Sequence, residues 1–316
     1  MAIFKDYLEN NSPLILHGAL GTEMESLGYD ISGKLWSAKY LLDKPEVIQK
    51  IHETYVAAGS DLITTSSYQA TLPGLIDTGL TKEEAEQIIT LTVQLAKNAR
   101  DKVWTALDET EKAKRPYPLI SGDVGPYAAY LANGSEYTGD YGQIIIEALK
   151  EFHRPRIQIL LDHGVDLLAL ETIPNYLEAQ ALIELLAEEF PEAEAYISFT
   201  VQEPGTISDG TSLDEITQLV SQSDQILALG INCSSPLLYN QALAILKNAG
   251  KALITYPNSG EVYDGSTQTW KPKDKDALTL VEHSKDWHTQ FGVKILGGCC
   301  RTRPNDIKAL YAEFRT

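Results

Sequence analysis

Three cysteines in a chain of 316 residues carry its most specific chemistry: Cys233 closes the apolar segment ILALGINC, and Cys299 with Cys300 closes KILGGCC. Both segments read as buried parallel strands with the thiols at their carboxyl ends. Soft sulfur ligands select zinc among the common cellular metals, and three of them leave the fourth tetrahedral position for water or substrate. For the adjacent Cys299 and Cys300 to reach one ion, strand alternation must break, and Gly297 with Gly298 permits that close backbone approach. Spacing alone leaves a second reading open, in which Cys233 is a buried small hydrophobe and Cys299–Cys300 a strained or redox-active pair. Neither a C-x-x-C nor a histidine-containing ligand motif is present to decide between them.

The elements that must position these thiols are legible as eight apolar runs: LILHGA from Leu14, DLITTSS from Asp61, LISGDVG from Leu119, DLLALETI from Asp166, AYISFTV from Ala195, ILALGINC from Ile226, ALITYPNS from Ala252 and KILGGCC from Lys294. Helical patterns alternate with them. PEVIQKIHETYVAAG opens with Pro45 in a first turn and stops at Gly59, and TKEEAEQIITLTVQLAKNAR opens with Thr81 as a cap and Glu84 three residues on. Eight near-continuous apolar strands, each returned by a helix, bury both sheet faces in a closed parallel barrel, so the expected fold is a single (β/α)8 barrel over residues 1–316. An open doubly wound sheet is the alternative, but it leaves edges to protect, and no Gly-x-Gly-x-x-Gly follows the first strand. In a barrel, strands six and eight lie one strand apart with their carboxyl ends at one mouth, so Cys233, Cys299 and Cys300 converge there. Between Val124 and Gly142 the Tyr- and Gly-rich stretch VGPYAAYLANGSEYTGDYG reads as a long loop over that mouth.

With 26 Lys and Arg against 44 Asp and Glu, the net charge of -18 repels phosphate on average and excludes a generic nucleic-acid binder. No stretch approaches the roughly 20 apolar residues of a membrane span. The start, MAIFKDYLENNSP, lacks the apolar core of a secretory leader, and an odd number of cysteines does not make a disulfide framework, so the expected location is the reducing cytoplasm.

Beyond these patterns, the chain resembles the cobalamin-independent homocysteine S-methyltransferases, especially the branch that uses S-methylmethionine or S-adenosylmethionine as methyl donor. The likeness runs through HGALGTEME from His17, LWSAKYL from Leu35, SSYQAT from Ser66, GPYAAYLANGSEYTGDY from Gly125, FHRPR from Phe152, LLALETIPN from Leu167, SFT from Ser198, SDGT from Ser208, GINC from Gly230, YPNSGE from Tyr256 and GGCCRT from Gly297. The resemblance implies one catalytic zinc per chain on Cys233, Cys299 and Cys300, with the homocysteine sulfur at its open position. It also implies the substrate carboxylate near Gly18 and Ala19, the ammonium beside Glu171, and Asn232 within the same binding set. A free thiol, with a pKa of about 8.5, attacks poorly when protonated, and zinc coordination deprotonates it at neutral pH. The thiolate then displaces a methyl from a sulfonium, and the leaving thioether is neutral and needs no acid.

One position departs from the family pattern. Where the family usually carries an Asp that helps hold the ammonium, this chain has His17, whose neutral imidazole accepts one hydrogen bond and whose protonated form repels the ligand. The expectation is weaker homocysteine binding that worsens as pH falls. Tyr127, Tyr130, Tyr137 and Tyr141 are candidates for stacking around the sulfonium, and Tyr68 and Gln69 for the open side of the metal. Glu23 and Glu25 read first as helix-dipole partners, and His52, His153, His163, His283 and His288 as surface or packing residues.

The expected activity is zinc-dependent methyl transfer from S-methylmethionine, or less efficiently S-adenosylmethionine, to homocysteine, giving methionine. Alternatives are selenocysteine as acceptor, betaine as donor, a non-catalytic zinc- and homocysteine-binding barrel, and a hydrolase using zinc-bound water. The last is disfavoured because three thiolates leave a less Lewis-acidic ion than histidines do.

Overall fold

The computed structural model describes residues 3–10, 13–32, 35–264, 269–271 and 277–315. All eight expected runs are strands: β1 (Leu14–Ile15), β2 (Leu62–Thr64), β3 (Leu119–Val124), β4 (Leu167–Ile173), β5 (Ala195–Phe199), β6 (Ile226–Asn232), β7 (Ala252–Tyr256) and, after a short antiparallel ribbon of β8 (Val262–Asp264) and β9 (Thr269–Lys271), β10 (Ile295–Leu296). They form one parallel sheet in the order β1-β10-β7-β6-β5-β4-β3-β2, and a parallel bridge between Leu16 and Leu62 joins its two ends. The fold is a (β/α)8 barrel.

Strand alternation divides the core in two. Leu14, Leu16, Leu62, Leu119, Leu167, Ala169, Tyr196, Ala228, Ile254 and Ile295 pack into one cluster inside the barrel. Their neighbours Ile15, Ile63, Ile120, Leu168, Leu170, Ile197, Leu229, Leu253 and Leu296 belong to a second, shared with the helices. On the inward face, several strands become polar towards their carboxyl ends. Leu119 is followed by Ser121 and Asp123, Ala169 by Glu171, and Tyr196 by Ser198. The barrel is therefore filled below and chemically equipped above.

The helices begin and end for local reasons. Pro45–Ala58 stops at Gly59, whose φ of 113° suits only glycine, and Lys82–Ala106 opens on a reciprocal Thr81–Glu84 capping box. The 124–142 stretch, read as a long loop, winds into a short helix at Tyr127–Leu131 and a 3-10 turn at Ser135–Tyr137. A helix at Ile3–Asn10, for which the sequence reading named no element, plugs the bottom of the barrel with the fully buried Phe4, and Glu194 accepts from the Phe4 N–H at 2.7 Å. No helix among the described residues is long and apolar enough to cross a membrane.

Closure of the ring depends on Asp61, which is wholly buried just before β2. Its N–H reaches the Ile15 carbonyl at 2.6 Å, and Oδ2 accepts from the Ile15 N–H at 2.9 Å and from Arg315 at 2.7 Å. Arg115 lies 3.8 Å from Oδ1. Burial pushes the carboxyl pKa up, and both guanidiniums oppose that shift. Asp61→Asn should destabilise the protein by about 3 kcal/mol or more in urea titration, because two buried guanidiniums lose their counter-charge. Gly230 is an independent weak point: a Cβ there would lie 1.7 Å from the Ile254 carbonyl oxygen of the neighbouring strand. Gly230→Ala is expected to yield insoluble protein or to cost at least about 3 kcal/mol, read in the same titration.

Candidate active site and metal centre

The three thiols converge at the mouth, as the barrel requires. The sulfurs of Cys233, Cys299 and Cys300 all lie within 4.8 Å of one another, and those of Cys233 and Cys300 are 3.7 Å apart. Sulfur ligands about 2.3 Å from a tetrahedral ion stand about 3.8 Å from each other, so this spacing fits one ion with a free fourth corner. Hydrogen bonds from the Cys233 and Cys299 thiols hold Cys300 well below the usual thiol pKa.

Bringing the sulfurs together bends the strand ends out of extended geometry. Cys233 has φ 49° and Arg301 φ 66°, both in the left-handed region that side chains disfavour. Hydrogen bonds secure the turns. Cys299 N–H donates to the Pro257 carbonyl at 2.7 Å, Arg301 N–H to Thr22 Oγ1 at 2.9 Å, and the Thr302 hydroxyl to the Cys299 carbonyl at 2.6 Å. The expected role of the glycine pair holds, since a Cβ at Gly297 would meet Leu16 Cβ at 2.7 Å and one at Gly298 would meet Thr302 Oγ1 at 2.4 Å.

A cavity of about 420 Å3 opens beside the thiols and reaches Glu171, Asp123, His17 and Trp36. Glu171 and Asp123 point inward from adjacent strands and hydrogen-bond to each other, and Tyr256 bonds to Glu171 while pairing with Ser198 Oγ. Burial raises the Glu171 pKa to about 7, and burial together with the neighbouring Glu171 pushes Asp123 well above the carboxylate range. Behind Asp123, the buried Arg156 pulls in the opposite direction. Its guanidinium donates to the carbonyls of Ser67, Tyr68 and Gly125, at 3.2, 3.0 and 2.5 Å, which ties together the ends of β2 and β3.

His17 lines the cavity, but both its nitrogens are engaged within the protein. Nδ1 faces the Gly18 carbonyl and must carry the proton, and Nε2 faces the Thr64 hydroxyl. Burial lowers its pKa to about 4, so the ring is neutral and Nε2 accepts from Thr64, which in turn accepts from Ser121 at 3.2 Å. Protonation of His17 near neutral pH, the basis for expecting binding to weaken on mild acidification, is thus disfavoured. His52, read from sequence as a packing residue, lies on the cavity wall with its Nε2 buried and unpartnered. Its pKa is lowered to about 3 by burial and by His17.

Gly18, Ala19, Glu171, Tyr68, Gln69 and Tyr137 all line the cavity, and so does Glu25. Asn232 does not: it is fully buried, and its side chain accepts from the Thr172 N–H at 3.0 Å and donates to Thr172 Oγ1 at 2.8 Å, bracing a residue with φ 64°. Tyr127, Tyr130 and Tyr141 also stand away from the cavity lining. Tyr127 packs edge-on against Tyr141 and Phe152, Tyr130 reaches Asp77 at 3.0 Å, and Tyr141 donates to Glu178 at 2.5 Å. Glu178 also accepts from the buried His153 at 2.8 Å. Glu23 is bound to Arg303 at 3.0 Å. The sequence reading passed over Asp123, Tyr256 and Trp36; the available signal for Asp123 was an acidic residue inside an otherwise apolar and small strand.

Comparison with known proteins agrees with this geometry. The family model for homocysteine S-methyltransferase matches residues 14–314. The homocysteine S-methyltransferase YbgG of Bacillus subtilis is 44% identical over 96% of this chain and 95% of its own length. A selenocysteine methyltransferase of Astragalus bisulcatus is 40% identical over 94% of this chain and 91% of its own. The crystal structure of the metallated form of the Escherichia coli homocysteine methyltransferase MmuM superposes with a TM-score of 0.85 at 40% identity, covering 98% of this chain and 99% of that one. A (β/α)8 barrel with three thiols gathered at its mouth thus belongs to the homocysteine S-methyltransferase family and is a methyltransferase enzyme.

Proposed function

We propose that this enzyme, one barrel domain over its whole length, transfers a methyl group from S-methylmethionine, and less efficiently from S-adenosylmethionine, to homocysteine, with zinc on Cys233, Cys299 and Cys300. The observation that carries the reading is the trio of thiols opening onto a cavity with an inward-facing Glu171. Zinc, when bound, holds the acceptor sulfur as a thiolate at neutral pH.

The protein's own residues do the positioning. Glu171, oriented by Tyr256, takes the acceptor ammonium, and Gly18 and Ala19 line the wall where the carboxylate lies. The acceptor thiol gives up its proton to solvent, the new S–CH3 bond forms, and the sulfonium S–CH3 bond breaks with its electron pair staying on the departing thioether. No acid is required, because the departing thioether is neutral. A sulfonium is a cation without a hydrogen-bond donor at sulfur, so aromatic faces and diffuse negative charge recognise it. Trp36, Tyr68 and Tyr137, with Glu25 and Glu136, provide that lining. The metallated relative supports the ion, and the selenocysteine methyltransferase relative makes selenocysteine the acceptor to compare.

Cys299→Ser should lose bound zinc, measured by elemental analysis, and lower methionine formation by at least about 100-fold, the scale of losing a group that creates the nucleophile. Wild-type protein that turns over fully after complete zinc removal would contradict the reading. In donor competition at equal concentrations, S-methylmethionine should be used faster than S-adenosylmethionine, and betaine should give no product. Faster methylation of selenocysteine than of homocysteine would reassign the acceptor.

A further inference from the structure

The resemblance to the homocysteine S-methyltransferases implies a second carboxylate beside Glu171 from the end of the first strand, where this chain has His17. His17 cannot substitute for it. Its Nδ1 is committed to the Gly18 carbonyl and its Nε2 to Thr64, so it turns no hydrogen-bonding atom towards a ligand. A second carboxyl is nevertheless present, at the end of β3.

Asp123 shares the inward face with Leu119 and Ser121, lines the same cavity as Glu171 and is only 4% exposed. Its backbone is fixed from both sides, with the N–H donating to Thr65 Oγ1 at 2.9 Å and the carbonyl accepting from Ser67 at 2.7 Å. The side chain therefore has one place to go, and there its Oδ1 is buried without a partner. Arg156 lies behind but does not satisfy that oxygen, because its hydrogen bonds go to the Ser67, Tyr68 and Gly125 carbonyls and to His153. A buried acceptor left unpaired beside a second carboxyl costs stability in the free protein and is relieved by a ligand that brings a donor and a positive charge.

We propose that Asp123, together with Glu171, binds the α-ammonium of the amino-acid acceptor, so that the carboxyl missing at His17 is supplied from β3. This rests on the acceptor assignment above. The ammonium presents three donors, and two facing carboxyls with a free Oδ1 accept them, while the neutral His17 ring only walls the pocket.

The test uses zinc-loaded full-length protein and calorimetric binding of homocysteine and of its des-amino analogue, 4-sulfanylbutanoate. Asp123→Asn keeps shape and removes the carboxyl that can ionise against an ammonium. It should weaken homocysteine by about tenfold or more, the scale of a charge-assisted hydrogen bond, and leave the analogue within about twofold. The double variant His17→Asp with Asp123→Asn should recover part of the lost discrimination. Equal weakening of both ligands, or unchanged discrimination, would overturn the inference while leaving the acceptor assignment standing. No homocysteine binding by the loaded wild type would remove both. A separate melting curve without ligand guards against misfolding: Asp123→Asn should melt no lower than wild type, and a markedly lower melting temperature would assign Asp123 to the fold instead.

Discussion

Three sulfurs within 4.8 Å of one another form the constraint to which the rest of the mouth conforms. Thiols on strands β6 and β10, separated by β7, meet only if the chain leaves extended geometry immediately after each strand. Cys233 and Arg301 take left-handed backbone conformations for that purpose, and Thr172, opposite them on β4, does likewise. Such residues cost on the order of 1–3 kcal/mol each and persist only where the surroundings over-determine them. Here Asn232 braces Thr172, Thr22 receives the Arg301 N–H, Gly297 removes a side chain that would meet Leu16, and Gly298 removes one that would meet Thr302.

Charge is organised around the same point. The barrel interior is apolar below and carries Asp123, Glu171 and Tyr256 above, beside a thiol cluster that already favours an anion at Cys300. A mouth built this way attracts a metal cation, an ammonium and a sulfonium, which are the three positive groups the proposed reaction brings together. The compensating guanidinium of Arg156 is kept behind the wall, bound to carbonyls, so it steadies the ends of β2 and β3 without reaching the cavity. Through His153, Glu178 and Tyr141, that buried network also anchors the 125–141 segment.

Much of this was legible in the sequence because it follows from periodicity and strand order. Eight apolar runs gave eight strands, and placing Cys233 and the Cys299–Cys300 pair on strands six and eight was enough to bring the thiols to one mouth. The tyrosines of the 127–141 segment were not separable by composition: only their packing against Phe152 and Glu178 assigns Tyr127 and Tyr141 to an anchor, while Tyr137 faces the cavity. Asn232 sits in a recognisable motif, yet its amide is spent on Thr172 of β4. Asp123 escaped notice because an acidic residue in a short strand carries no periodic signal, and its neighbours across the sheet are distant in sequence. The helix at Ile3–Asn10 is too short to be marked by propensity alone, and it forms where Phe4 fills the barrel floor.

X-ray absorption at the zinc edge, on zinc-loaded protein with and without homocysteine, tests the central claim most directly. Three sulfur neighbours in the free enzyme rising to four with homocysteine would place the acceptor sulfur at the corner left open by Cys233, Cys299 and Cys300. Fewer than three sulfurs in the free enzyme, or a count that homocysteine leaves unchanged, would contradict it.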